Sequence, residues 1–240
     1  MNDPFETPER LALRRMVRRF ATEELAPNIE QWERDGELPR SLHRRAGELG
    51  LLGLPFPAEV GGGDGTAADL VVVCEELHNA GTGGGLCASL FTCGIALPHI
   101  AAAGDAAQID RWVRPTLAGK MIGSLAITEP DAGSDVAGLR TTAQRDGDHY
   151  VVNGAKTFIT SGVRADFVTT AVRTGGPGAH GLSLLVIDKG TPGSPSLAGS
   201  TRWGGCAPTP PSCRSWTAGC RWRTWWARRT PASCRSPRTS

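Results

Sequence analysis

The run Leu125-Ala126-Ile127-Thr128-Glu129-Pro130-Asp131-Ala132-Gly133-Ser134-Asp135-Val136-Ala137-Gly138 concentrates the chemistry of this chain. A strand would deliver Thr128, after which Pro130, Gly133 and Ser134 would form a tight turn where exposed N–H groups and two hydroxyls converge. Such a loop suits a planar, hydrogen-bonding cofactor or an anionic group. A plain Pro-Gly turn between strands fits the same residues. No acid identifies itself as a catalytic base: Glu75 and Glu76 fit a solvated helix face, and Glu129 belongs to the turn. His43, His78, His99, His149 and His180 form no metal-ligand spacing and read as surface or strand-end residues. Cys74, Cys87 and Cys93 read as apolar helix positions in a reducing compartment. Neither a catalytic residue nor a metal site is assigned.

The elements that must position this run come in two kinds. Thr7-Pro8-Glu9 is a helix start, with a hydroxyl cap, a proline at the first position and an acid in the first turn. Leu13, Met16, Val17, Phe20 and Leu25 then recur at spacings of three and four, the mark of an amphipathic helix ending near Pro27. A second helix is expected from Pro39-Arg40-Ser41 to Gly50 or Gly53. Gly61-Gly62-Gly63-Asp64-Gly65 reads as a mobile loop, and Thr66 with Asp69 caps a helix through Leu70, Val73, Cys74 and Leu77. Leu86 to Ala103 and Ala106 to Leu117 continue the helical region. After Lys120 the period falls to two: residues 121–128, 139–145, 150–156, 167–173 and 182–188 read as strands, with Asp146-Gly147-Asp148 and Asn153-Gly154 as turns. Helices followed by strands predict an α+β protein: a helical domain over residues 1–119, then an antiparallel barrel or sandwich over 120–193. No G-x-G-x-x-G follows a strand, and Gly81 to Gly85 reads as a flexible helix connection.

The chain has 240 residues, with 26 Lys+Arg against 24 Asp+Glu. It holds no apolar stretch of membrane-spanning length, and its start is neither a signal nor a transit peptide, so a cytoplasmic protein without membrane association is expected. The near-neutral average conceals a break. Residues 194–240 contain eight Arg, five of the seven Trp and four of the seven Cys, but no Lys, Asp or Glu. That leaves 18 basic and all 24 acidic residues before Ser194, a charge of −6. After Leu197 there is no Leu, Ile, Val, Met, Phe or Tyr, so the tail has little with which to offset the entropy of ordering and is expected to be disordered. It could bind nucleic acid through phosphates and base stacking, although a nucleic-acid partner is not expected. Zinc sites favour close Cys pairs, which Cys206, Cys213, Cys220 and Cys234 do not supply. The third reading is an out-of-frame translation. Because Trp has one codon, losing one nucleotide near Gly193 makes Trp225-Trp226-Ala227 encode Val-Gly in the restored frame. Permissive codon choices extend this to V-P-V-E-N-L-V-G-E-E-N, with K-M-G-W upstream.

A-I-T-E-P-D-A-G-S-D-V-A-G resembles the long signature of the acyl-CoA dehydrogenase family. Phe158-Ile159-Thr160 after V-N-G-A-K is similar to that family's second flavin motif, and Trp32 to Gly63, with L-P-F-P-A-E-V-G-G-G, resembles its first domain. The reconstructed tail strings resemble the segment beyond the middle domain's strands. The resemblance implies FAD as cofactor and α,β-dehydrogenation of an acyl-CoA thioester to the enoyl-CoA. It implies that the backbone of Leu125, Ala126, Ile127 and Thr128 and the Thr128 hydroxyl face the flavin ring. Phe158 would stack on the ring, Ile159 and Thr160 would complete that contact, and Ser134 would lie beside the acyl-CoA. It further implies an electron-transfer flavoprotein as electron acceptor and a homo-oligomer in the full-length family. The catalytic Glu would lie on a C-terminal helical bundle, so the chain reads as truncated after the middle domain, with residues 194–240 as an aberrant tail, and the fragment by itself is not expected to turn over an acyl-CoA. A related acyl-CoA oxidase or flavin monooxygenase of the same fold is the nearest alternative. A non-catalytic fragment with a nucleic-acid-binding basic tail is the alternative of a different class.

Overall fold

The computed structural model describes residues 5–191 and the backbone of 220–228. The first helix, α1 (Pro8–Phe20), starts where its cap predicts: the Arg10 amide donates to Thr7 Oγ1 at 3.3 Å. Its apolar stripe buries Val17 and Phe20, and a π-helical turn, Ala21–Leu25, carries the stripe on to Ala21 and Leu25. The short α2 (Ile29–Asp35) ends at Gly36, whose φ of 70° is a left-handed cap. Then come α3 (Arg40–Glu48), α4 (Ala67–Asn79) and α5 (Gly84–Leu90). The predicted capping box opens α4, with Asp69 Oδ2 accepting from the Thr66 amide at 2.7 Å. Four short helical segments follow: α6 (Cys93–Ala96), α7 (Pro98–Ala103), α8 (Ala106–Gln108) and α9 (Arg114–Leu117).

The glycine-rich segment expected to be a mobile loop is tied down. The amides of Gly62, Gly63, Asp64 and Gly65 donate to Pro57, Gly53, Phe56 and Leu54 carbonyls. A Cβ at Gly62 would lie 1.9 Å from the Phe56 carbonyl oxygen, so the glycine allows a backbone crossing that no other residue permits.

The strands are β1 (Gly123–Ala126), β2 (Thr142–Asp146), β3 (His149–Lys156), β4 (Phe167–Arg173), β5 (Leu182–Asp188) and β6 (Cys220–Arg228). The α+β class holds, but the sheet is open and mixed, neither a closed barrel nor wholly antiparallel. Strand β4 lies at its centre. On one edge it pairs antiparallel with β5 from Phe167↔Asp188 to Arg173↔Leu182. On the other it pairs parallel with β1 from Gly123↔Phe167 to Ala126↔Thr170, then with β2 at Thr142↔Arg173. The chain leaves that edge at residue 127 and returns to it at 141, so the chemistry-bearing run fills a gap in the ladder. Strand direction follows from this excursion, which local periodicity does not report.

Strands β2 and β3 form the predicted hairpin through Gly147, which has φ 61°. The turn expected at Asn153-Gly154 is instead the interior of β3. A Cβ at Gly154 would lie 2.3 Å from Thr141 Oγ1, so the glycine there serves close packing. The outer edge of β3 pairs antiparallel with β6. This strand falls in the segment expected to be disordered; backbone pairing with an open edge needs no aliphatic side chains. The rest of that expectation lies outside the described residues.

The helical domain and the sheet share one core. Phe167 of β4 and Val186 of β5 are buried with Val17, Leu25, Leu77, Leu97, Trp112 and Val113. Asp188 accepts from Trp112 Nε1 at 2.8 Å, and Asp166 accepts two bonds from Arg40 at 2.8 and 2.9 Å. A second cluster, Ala143, Val152, Val172, Leu185 and Ile187, lies within the sheet. Among the described residues no helix is long and apolar enough to cross a membrane.

Candidate functional site

Two segments separated by about thirty positions meet where β1 ends. Thr157, next after β3, donates its amide to the Thr128 carbonyl at 2.8 Å. That bond sets the Phe158–Ser161 turn beside Thr128. Ser124 Oγ of β1 donates to the Thr160 carbonyl at 2.5 Å and closes the other end of the turn. The two motifs named from sequence are therefore joined.

The turn is held in an uncommon conformation. Phe158 has φ 56° and Ser161 φ 59°, the left-handed region that non-glycine residues seldom occupy. Phe158 is nonetheless 53% exposed, a large aromatic presented to solvent at a position of backbone strain. Thr160 is exposed, and Thr128 is half-buried. Ile159 turns inward against Ala126, Ala165 and Val168, so its side chain serves the core and leaves its backbone to the turn. Ala126 is buried, so it can offer a ligand only its peptide groups. Leu125 and Ile127 are half-buried. Ser134 is exposed between Pro130 and Gly138, and among the described residues no hydrogen bond joins it to Thr128 or to the Phe158 turn. The end of β1 and the Phe158–Ser161 turn, held together by the Thr157 and Ser124 bonds, thus form a cradle at which Phe158 and Thr160 are exposed and Thr128 is half-buried.

Beneath the cradle lies a buried ion pair that local pattern did not reveal. Lys156, the last residue of β3, is 0% exposed, and its Nζ donates to Glu129 Oε1 and to the Ile127 carbonyl, each at 2.8 Å. Glu129 is 6% exposed and also accepts from the Arg140 and Thr141 amides at 2.7 and 2.9 Å. Burial pushes the Glu129 carboxyl up, but the bonds from Lys156, Thr141 and Arg140 outweigh it and leave it below the usual carboxylate range. Burial lowers the Lys156 ammonium, and Glu129 opposes that shift. Glu129 thus closes the turn instead of facing a ligand. Both residues occur inside the motifs already singled out, and that was the only local signal.

Two further residues depart from their expected settings. Glu76, read as solvated, is 1% exposed and accepts from Arg14 and Arg18 at 2.6–3.0 Å, joining α4 to α1. His43 is buried, with Nε2 at 3.3 Å from the Ser89 carbonyl; desolvation and the nearby Arg164 charge push its pKa down to about 4. Arg164 is buried at the same junction, where its Nη1 donates to Ser89 Oγ at 3.2 Å. Ser89 Oγ in turn lies 2.8 Å from Ser161 Oγ, so the helical domain braces the Phe158 turn. Among the described residues no His/Cys/Asp/Glu group is arranged to hold a metal ion.

A helical domain braced on an open mixed sheet, with this cradle in a gap of the ladder, defines a two-domain α+β protein. Comparison with known proteins makes the class specific. Residues 7–120 match the acyl-CoA dehydrogenase N-terminal domain, and residues 124–204 match the acyl-CoA dehydrogenase middle domain. The mitochondrial long-chain specific acyl-CoA dehydrogenase of Rattus norvegicus is 40% identical over 184 residues, 75% of this chain and 42% of its own length. A probable acyl-CoA dehydrogenase from Mycobacterium abscessus is 67% identical with a TM-score of 0.77, over 79% of this chain and 50% of that one. A glutaryl-CoA dehydrogenase from Mycobacterium smegmatis in complex with FADH2 is 31% identical with a TM-score of 0.72, over 80% and 48% of the two chains. The chain belongs to the acyl-CoA dehydrogenase family, and it spans about half the length of these relatives.

Proposed function

We infer that this protein takes part in FAD-dependent α,β-dehydrogenation of an acyl-CoA thioester, and that residues 123–161 hold the flavin ring. The observation that carries this reading is Phe158: a strained, exposed aromatic set by hydrogen bonds beside the polar end of β1. When bound, FAD supplies an acceptor for the hydride that leaves the β-carbon of the acyl group. The chain's own residues bind and align. The peptides of Leu125 to Thr128 and the Thr128 hydroxyl would hold the ring by its polar edge, with Phe158 to stack on it and Thr160 to donate beside it. Ile159 anchors that turn through the core. Ser134 would lie beside the thioester end of the acyl-CoA. Glu129 does not remove the α-proton, because its carboxylate is already engaged by Lys156 and two amides. Asp131 and Asp135 are exposed on the turn, and no base is assigned among the described residues. The acceptor of the electrons is an electron-transfer flavoprotein, the assembled protein is a homo-oligomer, and the compartment is the cytoplasm.

The test is titration of the chain with FAD, followed by quenching of flavin fluorescence. Phe158→Ala removes a stacking contact worth about 1–2 kcal/mol and weakens binding by roughly five- to thirtyfold with unchanged circular dichroism. Equal quenching by both chains, or none by the parent, rejects the assignment.

A further inference from the structure

We propose that Lys156 and Glu129 form a positioning pair that orients the Ile127–Thr128 peptide, so that the Thr128 N–H is presented to the flavin's polar edge. This rests on the flavin reading above and adds the device that aims one of its donors.

The geometry carries the argument. A trans peptide is planar, with its C=O and N–H pointing in opposite directions. Lys156 Nζ draws the Ile127 carbonyl inward at 2.8 Å, so the N–H of the same peptide, which belongs to Thr128, points out of the sheet's interior. The next carbonyl, that of Thr128, is taken by the Thr157 amide at 2.8 Å. Rotation of the peptide would therefore break a charge-assisted bond and displace the residue that leads into Phe158. Glu129 fixes the ammonium laterally and ties the returning chain through the Arg140 and Thr141 amides. Four points converge on one pair: the end of β1, the end of β3, the turn and the approach to β2.

A buried ion pair is a poor way to obtain stability. Two ions lose their hydration, and apolar residues of similar volume often serve as well or better. What such a pair supplies that apolar residues cannot is direction: an ammonium selects one orientation of a carbonyl. Lys156 is fully enclosed and bonded to Ile127 and Glu129, so it can act only through the peptide it holds, as a positioning residue and not a catalytic one.

The experiment uses the full 240-residue chain. Amide hydrogen exchange by NMR is first read on the unaltered protein. Thr157, whose N–H donates to Thr128, exchanges slowly, while Thr128 exchanges at least tenfold faster and shifts and slows when FAD is added. Equal protection of the two amides without FAD overturns the orientation. Lys156→Met alone strands the Glu129 carboxylate and is expected to unfold. The variant to read is therefore the uncharged pair Lys156→Met/Glu129→Gln, which removes the ammonium without leaving a buried charge. It is expected to keep its circular dichroism and cooperative melting, to move the Thr128 amide resonance, and to bind FAD about tenfold more weakly, the equivalent of about 1.4 kcal/mol. A folded double variant with the parent's Thr128 resonance and the parent's FAD affinity overturns the proposal while leaving the flavin reading intact. A parent chain that binds no FAD rejects the flavin reading itself, and the proposal falls with it. A double variant that does not fold leaves the decision to the exchange contrast on the unaltered chain.

Discussion

His43 shows how far a side chain's setting can depart from its residue type. Its neighbours in sequence are Arg44 and Arg45, and an amphipathic helix start beside two arginines reads as surface. In the fold its ring lies at the junction of α3 with α5, against the Ser89 carbonyl and near Arg164. The burial has a pH signature with a defined sign. The unfolded chain takes up a proton at His43 as pH falls through 6.5, while the folded chain resists until about 4. The folded state is therefore disfavoured across that window, and the contribution is complete above pH 6.5. On the order of 3 kcal/mol of stability is expected to be lost by pH 4 through this group. Urea midpoints measured from pH 7 to 4 should fall less steeply in His43→Gln than in the parent; parallel slopes would show that another group carries the acid sensitivity. Lys156 teaches the same lesson from the opposite side. A lysine at a strand's end beside Gly154 has the local pattern of a solvated terminus, and only the folded arrangement reveals that it is enclosed.

The helices were largely legible as elements. The Thr7-Pro8-Glu9 start, the Thr66/Asp69 capping box and the stripe through Val17, Phe20 and Leu25 are local devices, and each appears where its residues place it. Packing between elements was not legible, and glycine illustrates why. Gly119, after α9, has φ 69°, and a Cβ there would lie 2.1 Å from the His43 carbonyl oxygen. From the α3 side, a Cβ at Gly47 would lie 2.5 Å from the Ala118 carbonyl carbon. The two elements meet backbone to backbone. Gly119→Ala meets both a disfavoured dihedral and a clash, so a loss of about 2 kcal/mol or more is expected, read as a lower denaturant midpoint. A change within a few tenths of a kcal/mol would mean that the α3–α9 contact is looser than described. Strand positions were equally legible for β4 and β5, whose predicted and observed limits agree. Their partners were not, because periodicity names a strand without naming the edge it joins.

The two domains share one buried core. Phe167, fully buried on β4, lies 6.3 Å from Trp112 of the helical domain, ring centre to ring centre. Phe167→Ala opens a cavity at that junction and is expected to cost about 3–4 kcal/mol. Thermal unfolding followed by near-UV and far-UV circular dichroism should remain a single transition, shifted downward. Two separate transitions in the parent would show that the domains unfold independently. The shared core also gives the cradle rigid supports on both sides, since Ser89 on α5 braces Ser161 while β1 holds Thr128. At the same scale belongs the out-of-frame reading of residues 194–240. The middle-domain match ends at residue 204, shortly after the composition changes. Sequencing the gene through the Gly193 codon should show a one-base deficit, and an intact frame rejects the reading.

By itself the sequence determined the order of helices and strands, the caps that begin them, the family signature and the two segments that form the cradle. All of these are written in neighbouring residues or in fixed spacings. The tertiary structure alone decided that β1 runs parallel to β4, that Asn153-Gly154 lies inside a strand, and that Glu76, His43, Glu129 and Lys156 are enclosed. The reason is physical. Propensity and periodicity act over a few residues, whereas burial, strand direction and the pairing of a lysine with a glutamate 27 positions away depend on which distant surfaces meet.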